Sequence, residues 1–86
     1  MEHRVNIIVA AYNAERTINR SLKSIQKQTY KNWKCIIVND GSTDKSLEIC
    51  EKFVQKDSRF IVISQENQGA AKAKLRGIKE SKDCEY

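Results

Sequence analysis

The stretch Cys35-Ile36-Ile37-Val38-Asn39-Asp40-Gly41-Ser42-Thr43-Asp44 decides the fold. Its first four residues are apolar without interruption, so the strand they form has no face to offer to water. Such strands are expected where helices cover both sides of a parallel sheet. Asp40-Gly41-Ser42 reads as a tight turn. Thr43 then reads as a helix N-cap, with Asp44 at the positive end of the helix dipole. The helix that follows carries Leu47, Cys50 and Val54 on one stripe, with Ile49 and Phe53 beside it, and runs out near Asp57-Ser58.

The same alternation extends in both directions. Val5-Asn6-Ile7-Ile8-Val9-Ala10 is short and β-branched, as strands are. Between Ala14 and Lys27, the apolar residues Ile18, Leu22 and Ile25 mark one helix face. Asn13 is the expected N-cap of that helix, and Glu15 falls in its first turn. Tyr30-Lys31-Asn32-Trp33 is expected to turn the chain. Phe60-Ile61-Val62-Ile63 is a third strand and Asn67-Gln68-Gly69 a loop. Ala71, Leu75 and Ile78 mark a third helix ending near Lys82. The order β-α-β-α-β-α predicts an α/β fold with right-handed crossovers and a parallel sheet, three-layered and Rossmann-like.

Composition narrows the class. The 86 residues are 40% hydrophobic and 31% charged, with no proline and three glycines. That is globular rather than disordered. No apolar run approaches the ~20 residues that span a bilayer, and the N-terminus has no apolar core resembling a signal peptide. Sixteen Lys+Arg against eleven Asp+Glu give a net charge of +5. This charge suits nucleic acid, anionic lipid or a phosphorylated ligand, and equally a solvated basic surface. Lys72, Lys74, Arg76, Lys79 and Lys82 spread around the third helix without aromatic neighbours, so no nucleic-acid partner is expected. Cys35, Cys50 and Cys84 are odd in number and far apart. No Cys-x-x-Cys spacing occurs, so neither a zinc site nor a disulfide framework is expected. Cys35 and Cys50 read as small buried residues in a reducing, cytoplasmic compartment, and His3 as a surface residue.

In open α/β sheets, ligands bind beyond the carboxyl ends of the strands. Here three polar loops occupy those ends: 10–15, 39–44 and 64–69. No Gly-x-Gly-x-x-Gly follows the first strand and no P-loop occurs, which disfavours dinucleotide dehydrogenases and P-loop enzymes. A base-and-sugar pocket remains. Tyr12 can stack on a nucleobase. Asp40 can accept a hydrogen bond from a base N–H, and Gly41 lets the backbone approach closely. Taken singly, Tyr12 is also readable as a strand-end aromatic and Asp40-Gly41 as an ordinary turn pair.

In combination, these stretches resemble the inverting family 2 glycosyltransferases of the GT-A fold. Val5 to Glu15 resembles their opening strand followed by Pro-x-Tyr-Asn-x-Glu. Gln28-Thr29-Tyr30-Lys31-Asn32-Trp33 is similar to their Gln-Thr-Tyr-x-Asn-aromatic turn, and Ile37 to Asp44 to their Val-Asp-Asp-Gly-Ser-x-Asp segment. Glu66-Asn67-Gln68-Gly69, with its spacing to Gly77, resembles their Asn-x-Gly start of a helix. Lys82-Asp83-Cys84-Glu85-Tyr86 resembles the approach to their next strand.

The resemblance implies a nucleotide-diphosphosugar donor, a UDP-sugar foremost. It places Ala10, Tyr12, Glu15, Asp40, Gly41 and Lys74 at the nucleotide-sugar site: Tyr12 on the base, Glu15 near the ribose or base, Asp40 on a base N–H, Lys74 near the diphosphate. Ala10 stands where the family commonly has Pro, Asn39 where it has the first Asp of a pair, Lys74 where it has Arg, and Leu75 where it has Asn. The resemblance also implies Mg²⁺ or Mn²⁺ in the full-length enzyme, held by an Asp-x-Asp motif expected just beyond Tyr86. On this reading residues 1–86 are the N-terminal nucleotide-binding half of a GT-A domain. The parent enzyme transfers sugar to a glycan or lipid-linked hydroxyl in bacterial polysaccharide assembly, while the 86-residue chain binds nucleotide without turnover. Its location is cytoplasmic, with peripheral association at the inner membrane face allowed. An exposed first strand is expected to support a homodimer. The alternative is a stand-alone nucleotide-binding or regulatory module.

Overall fold

The computed structural model describes residues 5–83; His3, Cys84, Glu85 and Tyr86 lie outside the described residues, as does the side chain of Lys82. Six elements follow one another: β1 (Val5–Ala11), α1 (Ile18–Lys27), β2 (Trp33–Asp40), α2 (Ser46–Lys56), β3 (Phe60–Gln65) and α3 (Ala70–Asp83). The three strands form one parallel sheet in the order β1-β2-β3. Val9 pairs with Ile37 and Ile37 with Val62, so the carboxyl ends of all three strands meet at one edge.

The unbroken apolar run of β2 is explained by layers on both sides. Cys35 and Ile37 face one way, into a core with Ile18 and Leu22 of α1, Cys50 of α2 and Phe60 of β3. Ile36 and Val38 face the other way, against Ala73 of α3. Helices α1 and α2 thus cover one face and α3 the other. Burial pushes the Cys35 thiol up to about 12 and the Cys50 thiol up to about 11. Both stay protonated at neutral pH and serve as packing.

Four elements differ from the sequence expectation. The first is Trp33, which begins β2 rather than turning the chain, and is buried. It meets Phe60 edge-on at 5.2 Å, and the Arg59 guanidinium stacks 4.0 Å from its ring centroid. The second is α1, which starts at Ile18 rather than beside Asn13. Asn13 is left-handed at φ 47, and residues 14–17 form a separate turn through Thr17 N–H to Ala14 O. The third is α2, which starts at Ser46, with Lys45 rather than Thr43 at the N-cap position.

The fourth is the face of α3. Leu75 and Ile78 are 64% and 43% exposed, and Ala71 is exposed too. The residues against the sheet are Ala73 and Gly77. A Cβ at position 77 would lie 2.5 Å from Ile8 Cγ2 and 3.3 Å from Val38 Cγ2. The helix therefore approaches the strands through its two smallest residues, and its larger apolar residues stay outside.

Candidate functional site

At the carboxyl edge of the sheet lies a cleft of about 320 Å³. Ala10, Ala11 and Tyr12 line it from the end of β1, Asp40 from the end of β2, and Asn67, Gly69 and Ala70 from the β3–α3 turn. Of the six residues singled out in the sequence, three line this cleft: Ala10, Tyr12 and Asp40. Gly41 borders it at φ 71. A Cβ at position 41 would lie 2.6 Å from the Asn67 backbone nitrogen, so no larger residue fits beside the β3–α3 turn. Lys74 is exposed on α3 and is not part of the cleft lining. Glu15 lies outside the cleft, in the β1–α1 turn.

Asp40 is nearly fully buried and surrounded by donors. Its Oδ1 accepts hydrogen bonds from Gln65 Nε2 and from the Gln68 backbone N–H, both at 2.9 Å. Its Oδ2 accepts from the Gly69 backbone N–H at 2.9 Å and from Asn67 Nδ2 at 3.4 Å. Asn67 Nδ2 also donates to the Asp40 carbonyl at 3.0 Å. Hydrogen bonds to the ionised form, foremost from the Gln65 amide and then from Gln68, hold the Asp40 carboxyl below the usual carboxylate range. The carboxylate thus pins the β3–α3 turn at the mouth of the cleft. Asn67 and Gln65 take part in a way that local sequence does not reveal, because their partner lies more than twenty residues away.

Asn39 ties the end of β2 both to β3 and to the turn that follows it. Its Nδ2 donates to Ser64 Oγ at 3.3 Å, while its Oδ1 accepts from the Ser42 N–H at 3.3 Å. With the amide as donor, the Ser64 hydroxyl is the acceptor of the bond across to β3; a carboxylate at position 39 could keep that bond only with the hydroxyl as donor. Tyr12 stands at the rim, 53% exposed. Among the described residues, no group of three or more His, Cys, Asp or Glu could hold a metal ion. Three carboxylates near the sheet edge are already engaged: Asp40 as above, and Glu15 and Asp44 on backbone N–H groups.

A three-stranded parallel sheet with helices on both faces and a cleft at its carboxyl edge defines an α/β domain of the Rossmann-like class. Comparison with known proteins makes the class specific. The family model for glycosyl transferase family 2 matches residues 6–83, and the chain belongs to that family. Glycosyltransferase GlyA of Streptococcus pneumoniae is 44% identical over 78 residues, covering 91% of this chain and 11% of GlyA. Glycosyltransferase GlyG of the same organism is 43% identical over 83 residues, covering 95% of this chain and 28% of GlyG. The chain therefore spans less than a third of the length of these relatives. Among solved structures, a mannosyltransferase from Pyrobaculum calidifontis in complex with GDP-Man and Mn²⁺ superposes with a TM-score of 0.82 at 23% identity. It covers 90% of this chain and 24% of that one. The shared fold is the GT-A type.

Proposed function

We propose that this chain supplies the donor-nucleotide site of a glycosyltransferase that takes its sugar from a nucleotide diphosphate, a UDP-sugar foremost. The observation that carries the reading is the cleft at the carboxyl edge, whose lining includes both Tyr12 and Asp40. A base stacked on Tyr12 would present its N–H edge towards Asp40 Oδ2, whose bond to Asn67 is the longest of the four that the carboxylate accepts. Gly41 leaves room for Asn67 of the lining to sit against the end of β2, and Lys74 supplies positive charge on the helix that starts at the cleft.

The wider reading follows from the family. The segment is the nucleotide-binding part of a larger domain, whose full-length form moves the sugar to a glycan or lipid-linked hydroxyl in bacterial polysaccharide assembly. In the full-length enzyme a Mg²⁺ or Mn²⁺ ion, held by the family's Asp-x-Asp motif, would offset the charge of the leaving diphosphate. No helix among the described residues is long and apolar enough to cross a membrane. The reading includes a cytoplasmic location with peripheral contact at the inner membrane face. It also includes a homodimer through β1, whose only strand neighbour among the described residues is β2.

Calorimetry with UDP, GDP and uridine, with and without Mn²⁺, tests the proposal. Weak binding of UDP and no turnover of UDP-sugars are expected of the 86-residue chain. Tight, metal-independent UDP binding would favour a stand-alone nucleotide-binding module, and no binding of any nucleotide would refute the donor site.

A further inference from the structure

The β1–α1 and β2–α2 turns are joined by a reciprocal seam. Three consecutive backbone N–H groups of the first turn donate to side chains of the second. Asn13 donates to Ser42 Oγ at 3.0 Å, Ala14 to Ser46 Oγ at 2.7 Å, and Glu15 to Asp44 Oδ2 at 3.2 Å. Two backbone N–H groups of the second turn donate back. Thr43 reaches Asn13 Oδ1 at 2.8 Å, and Lys45 reaches Glu15 Oε1 at 3.0 Å. Asp44 Oδ1 closes the seam by accepting from the Ser46 N–H at 2.9 Å.

The seam begins one residue after Tyr12. Asn13 is held at φ 47, a left-handed conformation that asparagine adopts only at some cost and keeps where its surroundings fix it. The Tyr12 hydroxyl makes no hydrogen bond among the described residues, and half of the side chain is exposed. The direction of the ring is therefore set chiefly by the main chain that follows, which the seam holds. Glu15, like Asn13, joins the seam both as a backbone donor and as a side-chain acceptor, and the N–H that its Oε1 accepts belongs to Lys45, the N-cap position of α2.

We infer that Glu15 is a positioning residue for nucleobase stacking: it holds the β1–α1 turn against the start of α2 and so fixes the ring of Tyr12 at the cleft. The inference rests on the donor-nucleotide reading, and it assigns Glu15 a role without direct contact to the ligand. The carboxylate spends Oε1 on Lys45 N–H and lies outside the cleft lining. A residue acting through Tyr12 affects the base and leaves the rest of the nucleotide alone.

The test compares Glu15→Ala and Glu15→Gln in the 86-residue chain, with UDP and with ribose 5-diphosphate, which lacks the base. Losing one net hydrogen bond from the seam should weaken UDP binding about three- to tenfold in Glu15→Ala. Binding of ribose 5-diphosphate should be unchanged, and Glu15→Gln, which keeps an acceptor oxygen, should restore the wild-type affinity. A loss that appears equally with ribose 5-diphosphate would overturn the inference in favour of direct ribose contact, and no loss with either ligand would overturn it outright. If wild-type chain binds neither ligand, the donor-nucleotide reading itself fails, and that outcome is separate from the other two. Ligand-free NMR gives a second readout on folded protein. The Tyr12 ring and amide resonances should move in Glu15→Ala and stay in place in Glu15→Gln, and unmoved Tyr12 resonances in both would also overturn the inference.

Discussion

Replacing Gly77 by alanine separates two physical effects of opposite sign. In an isolated helix, Ala in place of an interior Gly stabilises by about 1 kcal/mol. In this fold the new methyl would sit 2.5 Å from Ile8 Cγ2 and 3.3 Å from Val38 Cγ2, well inside ordinary contact. Neither neighbour can easily retreat: Ile8 is half-buried and Val38 fully buried, and both methyls are attached at a strand Cβ. Overpacking of this kind costs about 1–3 kcal/mol. The expected net is a destabilisation of about 1 kcal/mol, which lowers the melting temperature by roughly 4–8 °C in a domain of this size. Urea denaturation of Gly77→Ala against wild type measures it. Adding Ile8→Ala removes the offending methyl, so the double variant should be more stable than the sum of the singles by about 1 kcal/mol. If Gly77→Ala is as stable as wild type or more so, α3 does not pack through Ala73 and Gly77 in the way described.

Two further outcomes follow from the charged groups. Asp57 accepts Arg59 Nη2 at 2.8 Å and Gln26 Nε2 at 3.2 Å, and the Arg59 side chain, with these other donors, lowers its carboxyl from 3.8 to about 2. A lowered carboxyl adds stability above its unfolded value and loses it as the pH falls from about 4 through 2. After allowance for the partly exposed guanidinium, the contribution is about 1–2 kcal/mol. Asp57→Asn should flatten stability against pH between 2 and 4 in urea titrations, and an unchanged slope would remove Asp57 as the cause. Asp40→Asn puts an NH₂ group among donors that need an acceptor. It should speed hydrogen exchange at the Gln68 and Gly69 amides and weaken UDP binding about tenfold or more; unchanged exchange at both amides would show that Asp40 does not pin the turn.

The strands and layers were legible because β-branched runs leave little choice of secondary structure. Cys35 to Val38 announces a strand buried on both faces, and the structure places it at the centre of the sheet. The face of α3 was not legible, since apolar periodicity favours Leu75 and Ile78, whereas close helix–sheet approach is decided by the absence of side chain at Ala73 and Gly77. The helix starts were misplaced for a related reason. Asn13 and Thr43 have the chemistry of N-caps, but Asn13 Oδ1 accepts from Thr43 across the seam rather than from its own helix. In the cleft, Tyr12 and Asp40 stood out by residue type and position. Gln65 and Asn67 acquire their roles only when the sheet brings Asp40 within 2.9–3.4 Å of them.

The cleft draws on three segments separated by long stretches of chain, at residues 10–12, 40 and 67–70. None of them could form any part of it while the parallel register is unmade. A nucleotide that enters it has nothing equivalent to grip on the unfolded chain, so every increment of binding is also an increment of folding free energy. At a hundred times its Kd, such a ligand would add about 2.7 kcal/mol, a substantial share of the margin by which a domain this small stays folded. Donor supply would then act as a thermal ballast for the whole sheet, felt at Trp33 on the far edge as much as at Tyr12.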